Sequence, residues 1–551
     1  MSITSAMFTG VSGLLANAEG INVIGNNLSN TNTIGFKSSR MLFSDMLSAN
    51  IGNGSQIGRG TQIQKVDNVF SQGSFESTES VTDLAIQGNS FFALKAPGDA
   101  APVTQNQAYV TRAGAFRTDA DLYLVNADGY QVLDTQGNPI KFNNNATGIA
   151  TAVAALSPLL TTLQTAVNTL DTNASNLVTA ADTAVNNAAS AGAYTTSLND
   201  ISAKATDLLS NADALVTAAA SGTASEQLLA SNIQIAATAA NKAALAAVAT
   251  PKDPTLGAAA LTSLSNLSTL INSASASFTT TGVDTAYNNL KTSLDNTPTI
   301  STLSSTYNTQ VNPLKVALTD QTNANTLKTA TTAALTAVGN AISTPQSTTL
   351  ANNALSTLSD TNNLINTTSF QTASVVTAYT TLTGSIAATQ AAADSVAPAV
   401  ATLSSQLGKA FDKISSIGSN GLITYIGKDG TTTNYYNISG QVGVDATKEN
   451  ALSVQRLAVI SVPNANALEK NGGTLFKATV DSGIPAQQFS LLNNSLNGSS
   501  EKVFSNSLEL SNVDMAAQFV KMILTQRAYS ANSKTITTAD EMTQEVLNLK
   551  R

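Results

Sequence analysis

Hydrophobic positions recur with a helical period at both ends of the chain. Near the start the steps alternate between four and three residues along Met7, Val11, Leu14, Ala18, Ile21, Gly25 and Leu28. Near the end they average about 3.6 residues along Val513, Ala517, Val520, Leu524, Ala528, Ala531, Thr535, Ala539, Met542, Val546 and Leu549. This spacing predicts two amphipathic helices that pair as a coiled coil, with two core helices of a globular domain as the alternative. Ser511 or Asn512 is expected to cap the second helix, with Asp514 in its first turn.

Short β-type segments broken by glycine lie between each helix and the middle of the chain. On the N-terminal side they include FSQGSFEST and DLAIQGNSFFALKAP, and on the C-terminal side LITYIGKDGTTTNYYNI and ALSVQRLAVISVP. Asp128-Gly129 and Asp429-Gly430 are flanked by β-rich runs, so each predicts a hairpin turn. Together these segments predict one β-rich domain that takes strands from both flanks.

The middle of the chain, from about 146 to 415, consists mainly of Ala, Thr, Ser, Asn and Leu. Ser157-Pro158 predicts a helix start, with proline in the first turn. Three heptad-like seams follow: Leu160, Leu163, Val167, Leu170, Ala174, Leu177, Ala181 and Ala184; then Ile201, Ala205, Leu208, Ala212, Leu215 and Ala219; then Leu403, Leu407, Ala410, Ile414 and Ile417. We expect packed helices here. Loose β-rich or partly disordered structure is the alternative, because Thr, Ser and Asn are mediocre helix formers.

The predicted fold is therefore multidomain α+β. Residues 1–50 and 506–551 form a terminal α-helical coiled-coil domain. Residues 51–145 and 416–505 form a β-rich domain with a connecting segment. Residues 146–415 form a large inserted outer domain, helical and rich in Ala and Thr.

Charge and segment composition narrow the classes of partner. Charged residues make up 11% of the 551 residues, against about 25% in typical soluble proteins, and the formal net charge is -8. Because the chain has no basic run, we expect no nucleic-acid partner. No uninterrupted apolar run reaches about 18 residues and the N-terminus lacks a basic segment followed by an apolar one, so we expect neither membrane insertion nor a cleaved signal peptide.

The chain contains no Cys and no His, which removes disulfides, thiolate nucleophiles, histidine bases and the usual zinc ligands. The acidic residues are scattered, so we expect no enzyme, no cofactor and no metal site. The stretch GNGSQIGRG, 52–60, has the wrong spacing for a phosphate-binding loop and is interpreted as a connector. A basic set on the last helix is interpreted as a solvated face that contacts neighbouring subunits: Lys521, Arg527, Lys534, Lys550 and Arg551.

Three motifs resemble those of the bacterial flagellar rod and hook axial proteins. The first runs from the N-terminal helix into an Asn-rich turn and then Gly-Phe-Lys: Asn26, Asn27, Asn30, Gly35, Phe36 and Lys37. The second is FSQGSFESTESVTDLAIQGNSFFAL, which resembles the opening of the family's β-domain. The third lies in the last helix: Gln526, Arg527, Ala528, Tyr529, Asn532, Ser533 and Lys534. The motifs occur in the family's order and cover about half the chain, with 146–415 outside the match.

The resemblance implies a structural subunit of the flagellar hook, a flexible tubular universal joint that transmits motor torque to the filament. It implies that the terminal helices line the tube, through Met7, Val11, Leu14, Ile21, Leu28, Val513, Val520, Leu524, Met542, Val546 and Leu549. Expected partners are copies of the chain itself, the distal rod, hook cap and hook–filament junction proteins, and the flagellar type III export apparatus. The expected location is the extracellular flagellum, hook or basal body. A distal rod protein and an adhesin-like surface module on an axial scaffold are the alternatives.

Overall fold

The computed structural model describes residues 3–52, 55–448, 453–496 and 501–549. Helices span α1 Ile3–Ser29, α2 Ala146–Ala189, α3 Gly192–Ala219, α4 Ala224–Ala249, α5 Pro254–Ser273, α6 Thr281–Asp295, α7 Ile300–Gln310, α8 Asn312–Ser343, α9 Thr348–Thr367, α10 Ala373–Gly384, α11 Ile386–Lys409, α12 Leu491–Asn494 and α13 Met515–Leu549. Tertiary contacts divide the chain into unit 1, Met1–Ala150 with Ser404–Arg551, and unit 2, Thr151–Leu403. The multidomain α+β prediction is confirmed at this level.

Strands in the N-terminal flank of unit 1 span β1 Ser39–Asp45, β2 Ala49–Gly52, β3 Ser55–Ile57, β4 Thr61–Asn68, β5 Phe75–Ser77, β6 Leu84–Gln87, β7 Phe91–Lys95, β8 Tyr109–Thr111, β9 Arg117–Thr118, β10 Leu124–Val125 and β11 Gln131–Val132. Strands in the C-terminal flank span β12 Phe411–Ile417, β13 Ile423–Gly427, β14 Thr433–Tyr435, β15 Val444–Asp445, β16 Val459–Ile460, β17 Glu469–Gly472, β18 Leu475–Lys477, β19 Lys502–Ser505 and β20 Ser507–Glu509.

Strands from the two flanks share the main sheet of unit 1, which runs in the order β17-β18-β8-β7-β11-β10-β9, with β16 also paired to β7. Phe92 faces Val459 on β16 and Thr111 on β8, and Thr111 in turn faces Leu475 on β18. Two further ladders, β6 with β19 and β5 with β20, repeat this pairing across the flanks. The predicted β-rich region is present, and strands from both flanks pair within it.

Both predicted hairpin turns are present. Gly129 has φ +83° between β10 and β11, and Gly430 has φ +74° between β13 and β14. The predicted strand ALSVQRLAVISVP is shorter than expected, since only Val459–Ile460 forms a ladder and the residues before it make single bridges; residues 451–452 lie outside the described part. The segment 52–60 contributes β3 to a two-stranded ladder with β2, and its residues 53 and 54 also lie outside.

The last helix starts later than the sequence indicated. It begins at Met515, and Asp514 Oδ1 accepts the Ala517 amide at 3.1 Å, so Asp514 is the capping residue. The prediction of Ser511 or Asn512 as the cap was wrong. Asn512 instead fastens the chain before the helix: its Oδ1 accepts the Ser38 amide at 2.8 Å and its Nδ2 donates to Val69 O at 2.7 Å.

Unit 2 is helical through its described length, and every residue of the first two predicted seams is buried. The predicted start at Ser157-Pro158 was wrong, because α2 begins at Ala146 and contains Pro158 in its interior. The third seam was wrong beyond Leu407, since α11 ends at Lys409, Ala410 lies between the helix and β12, and Ile414 and Ile417 belong to β12. By length and composition, α2 is the one described helix apolar enough to cross a membrane, a test that core helices also pass.

Exposed threonines of unit 2 donate hydrogen bonds to the backbone of their own helix. On α2 the hydroxyls of Thr161, Thr165 and Thr169 each donate to the carbonyl four residues earlier, at 3.1 Å. This bond satisfies the hydroxyl without breaking the backbone ladder. The surface of the helix is therefore polar but uncharged.

One buried carboxylate joins two loops of unit 2. Glu226 is 1% exposed, and its Oε1 accepts the Thr279 and Thr280 amides at 2.7 and 2.9 Å. Its Oε2 accepts the Thr223 amide at 2.7 Å, which completes a capping box at the start of α4. These amide donors hold the pKa of the Glu226 carboxyl well below its usual range.

Candidate assembly surface

The terminal helices pack antiparallel along a stripe of small residues. A Cβ placed on Gly10 would lie 2.8 Å from Ile536 Cγ1, and one on Gly13 would lie 2.7 Å from Asn532 Nδ2. Further along α1, a Cβ on Gly20 would lie 3.3 Å from Thr525 Cγ2. Glycine therefore allows the two backbones to approach closely. Ala16 and Asn27 are the other buried residues of this stripe.

Asn27 joins three segments where α1 ends. Its Oδ1 accepts the Ser39 amide at 2.8 Å and its Nδ2 donates to Ser39 O at 2.7 Å, so its side chain pairs with the start of β1. The same Nδ2 lies 3.4 Å from Gln518 Oε1 on α13. An amide has both a donor and an acceptor, which is why Asn suits this position.

The rest of the Asn-rich turn bends the chain towards the β-rich part of unit 1. Asn30 Nδ2 donates to Asn26 O at 2.9 Å, which closes the end of the helix. Gly35 has φ +68°, and a Cβ there would lie 2.4 Å from the Ala113 backbone nitrogen, so only glycine fits. Phe36 is half-buried with Lys470 Nζ 5.5 Å from its ring centre.

A buried cluster of ionic groups lies directly after this bend. Lys37 Nζ is 2.6 Å from Glu509 Oε1, and Arg112 Nη1 is 3.3 Å from Glu509 Oε2. The Gly73 amide also donates to Glu509 Oε1 at 2.8 Å, and Lys37 Nζ donates to Ser71 O at 2.8 Å. Burial lowers the pKa of Lys37 and of Arg112, and Glu509 opposes that shift in both. The cluster ties the segments before α13 and after α1 to the β-rich part.

Large apolar side chains remain exposed on both terminal helices. On α1, Phe8 is 73% and Leu15 is 61% exposed. On α13 the exposed set is Met515, Phe519, Val520, Ile523, Leu524, Met542, Val546, Leu547 and Leu549. A single chain therefore leaves in water the kind of surface that proteins usually cover with a partner.

The predicted assembly residues differ in how far the folded chain buries them. Met7, Leu14, Ile21 and Leu28 are half-buried, Val11 is 40% exposed and Val513 is buried. Val520, Leu524, Met542, Val546 and Leu549 are all more than half exposed. The stripe that joins α1 to α13 is formed by other residues, and the predicted coiled-coil seam stays a prediction.

The C-terminal motif is divided between the two sides of α13. Asn532 faces α1 at Gly13, and Ala528 and Ser533 are half-buried. Gln526, Arg527, Tyr529 and Lys534 are exposed, as is Lys521. Lys550 and Arg551 of the predicted basic face lie outside the described residues.

Sequence reasoning missed the partners of Lys37. Glu509 stands between two leucines in SLELSN, an alternation that in a strand places it on the face opposite the leucines, and Arg112 is one of the few arginines of the N-terminal flank. Neither signal identifies its partner, because Glu509 is 472 residues from Lys37 and 397 from Arg112 in the sequence. Within 3–52, 55–448, 453–496 and 501–549, no group of three or more acidic side chains is placed to hold a metal ion.

Family models match three parts of the chain. "Flagella basal body rod protein" matches residues 7–37, "Flagellar hook protein FlgE/F/G D1 domain" matches 85–153, and "Flagellar basal body rod FlgEFG protein C-terminal" matches 505–549. These matches, which lie at both ends of the chain and in its β-rich part, support a protein of the flagellar hook and rod family. The first and third matches contain the α1–α13 pair and the Lys37–Glu509 contact, and almost all of unit 2 lies outside the matches.

Individual relatives carry both hook and rod names. The chain is 35% identical over 153 residues to the flagellar hook protein FlgE of Borreliella burgdorferi, covering 24% of this chain and 33% of the relative. It is 38% identical over 153 residues to the flagellar basal-body rod protein FlgG of Bacillus subtilis, covering 26% and 55%. The chain thus spans between a third and just over half of the length of these relatives.

Proposed function

We propose that this chain is a structural subunit of the bacterial flagellar hook, which polymerises into a flexible tube that transmits motor torque to the filament. The observation that carries the proposal is the exposed apolar surface of the α1–α13 pair, described above, in a chain that matches models of the flagellar hook and rod family. Burying apolar area gains about 25 cal/mol per Å², so these faces favour association.

A tube follows if each copy offers one surface to a different surface of its neighbour, because such contacts do not close into a ring of two. The α1–α13 pair is suited to this role, since its own joint uses Gly10, Gly13 and Gly20 and leaves the large side chains for other copies. In this proposal the pair lines the tube as a coiled-coil layer, and residues 146–415 form the outer domain.

Torque requires a firm connection between the lining helices and the rest of unit 1. The Lys37–Glu509–Arg112 cluster supports this, because it joins the segments next to both terminal helices to the β-rich part through short, buried ionic contacts. Gly35 N, which donates to Glu509 O at 2.7 Å, adds a backbone bond at the same place.

A distal rod protein is the second candidate, because rod proteins FlgG match the chain as well as hook proteins do. The chain's length favours the hook, since rod subunits of this family are typically shorter. With either assignment the subunit would leave the cell through the flagellar type III apparatus without a cleaved signal. Its partners would be copies of itself and the neighbouring axial proteins.

Electron microscopy of a strain that lacks this chain distinguishes the two assignments. The hook proposal expects basal bodies that keep a complete rod and lack the curved external segment. A structure that stops inside the periplasm would contradict the hook assignment and support the rod. Restoring the full-length chain should restore the missing segment.

A further inference from the structure

A groove lies where β1 meets the first turns of α13 beside α1. It has a volume of about 300 Å³, with an apolar floor that includes Phe43 and Leu524. These two side chains are 49% and 60% exposed. Arg40 and Lys521 also line the groove, and neither has an acidic partner within 4 Å among the described residues. We call this feature the Arg40/Lys521 groove.

The far end of α13 carries a complementary surface. Met542, Val546 and Leu549 recur at steps of four and three, so they form one stripe, and they are 56%, 53% and 80% exposed. Glu541 and Glu545 lie four residues apart beside that stripe, on the side away from Ala539, which is buried. The described salt bridges include neither glutamate.

This end of α13 extends past its partner within the chain. Ile536 packs against Gly10, and only seven more residues of α1 lie between Gly10 and Ile3. At 1.5 Å per residue, seven residues cover about 10 Å, which brings α13 only to about residue 543. The last turns of α13 therefore have no α1 residue opposite them in the described chain.

We infer that residues 540–549 of one copy dock into the Arg40/Lys521 groove of the next copy. The Met542–Val546–Leu549 stripe covers Phe43 and Leu524, and the two glutamates pair with the two cations. The inference rests on the proposed function and deepens it by naming the contact that propagates the polymer. The contact cannot form within one chain, because Leu524 and Val546 lie on one straight helix about 33 Å apart.

A second groove on α1 is the competing place for the same segment. It has a volume of about 570 Å³ and is lined by apolar residues that include Phe8 and Leu15, with one cation, Arg59. A segment with two neighbouring glutamates matches two cations better than one, so charge complementarity favours the Arg40/Lys521 groove.

Cysteine cross-linking maps the contact cleanly, because the chain has no cysteine of its own. In the full-length Leu524→Cys/Val546→Cys variant, a disulfide can form only between copies. Oxidation after assembly should give a ladder of dimers, trimers and longer chains on a non-reducing gel. The matched Leu15→Cys/Val546→Cys variant tests the competing groove and should give no ladder. A ladder from the Leu15 pair alone, or from neither pair, would overturn the inference.

Charge reversal tests the ionic part without depending on a single variant. Glu541→Lys/Glu545→Lys should slow tube assembly about tenfold or more, because it places like charges together. Adding Arg40→Glu/Lys521→Glu to that variant should restore assembly. Persistent failure of this four-fold variant, with a normal circular dichroism spectrum, would count against the pairing.

The two proposals fail in different ways. If the unsubstituted chain forms no tubes, the proposed function fails as well. If the unsubstituted chain forms tubes but the Leu524→Cys/Val546→Cys variant gives no disulfide ladder after assembly, only this contact fails.

Discussion

Lys37 Nζ lies 2.6 Å from Glu509 Oε1, and both side chains are completely buried. Lys37 follows α1 near the start of the chain, and Glu509 precedes α13 near its end. Arg112 adds a second cation from the β-rich part. The contact therefore holds together the place where the terminal helices join the remainder of unit 1.

Glu509→Gln should destabilise unit 1, because it leaves two buried cations without their anion. Removing one member of a buried ion pair typically costs about 3–5 kcal/mol. Hydrogen exchange of β6 to β8 as a function of urea would measure the change. The control is Glu19→Gln, which makes the same change at an exposed side chain that accepts one bond from Asn22 and should cost less than about 1 kcal/mol. If the two variants lose protection from hydrogen exchange at the same urea concentration, the role assigned to Glu509 is contradicted.

Gly10→Ala and Gly25→Ala should have opposite effects on the α1–α13 pair. At Gly25 an added Cβ meets nothing within 4 Å, so alanine should stabilise the helix by up to about 1 kcal/mol. At Gly10 the Cβ would press on Ile536 Cγ1 at 2.8 Å, and overpacking of this kind costs about 1–3 kcal/mol. Hydrogen exchange of residues 3–29, below the concentration at which chains associate, should be slower in Gly25→Ala and faster in Gly10→Ala. Slower exchange in both would show that the helices do not approach closely.

Unit 1 should become more stable as the pH falls through about 6, because of Asp134. Its carboxyl is fully buried, and burial raises its pKa to about 6, although the Gln136 and Asn138 amides oppose the shift. The folded chain then holds a proton between about pH 4 and pH 6 that the unfolded chain releases. Stability therefore rises as pH falls through this window, by about 2–3 kcal/mol from this group. Hydrogen exchange of residues 124–142 from pH 7.5 to pH 4.5, corrected for intrinsic rates, would detect the change. In Asp134→Asn this part of the pH dependence should disappear; an unchanged profile would contradict the assignment.

Glu226→Gln should lower the melting temperature of unit 2, because the new amide group would face backbone N–H donors that now bind a carboxylate oxygen. The lowered pKa of Glu226 also implies that its contribution is present above pH 4.5 and persists well below pH 4. Thermal melts followed by circular dichroism at pH 7 and pH 4 would test both points. The matched control is Asp394→Asn, whose exposed side chain accepts one bond from Gln390 and should leave the melt unchanged. If the Glu226 variant melts like this control, the two loops are held by other contacts.

The sequence predicted local structure better than long-range contacts. Periodicity identified both terminal helices and the buried seams of unit 2, and Asp-Gly pairs marked both hairpins, because these signals lie within a few residues of each other. It misplaced the start of α2, since a proline in a long helix can also mark a helix start. The hydrophobic periodicity also extended the third predicted seam into β12, because Ala410, Ile414 and Ile417 fit a helical period by chance.

At the candidate assembly surface, too, the sequence predicted local features and missed long-range contacts. The Asn-rich turn and the Gly-Phe-Lys bend were visible as a motif, but the roles of Asn27 and Lys37 depend on Ser39, Gln518 and Glu509, which no local pattern connects. The small-residue stripe of Gly10, Gly13 and Gly20 has no signal in the periodicity of large apolar residues, which is the pattern that predicts a helix face. The large apolar residues predicted for α13 beyond Val513 remain exposed, which is what an assembly surface requires.

Direct imaging of the purified chain tests the central claim, that the two terminal helices form a surface for polymerisation. Negative-stain electron microscopy should show curved tubes for the full-length chain. A Val520→Asp/Leu524→Asp variant, altered only on the exposed face of α13, should stay monomeric with unchanged helix content. Normal tubes from a chain that lacks residues 515–551 would contradict the account.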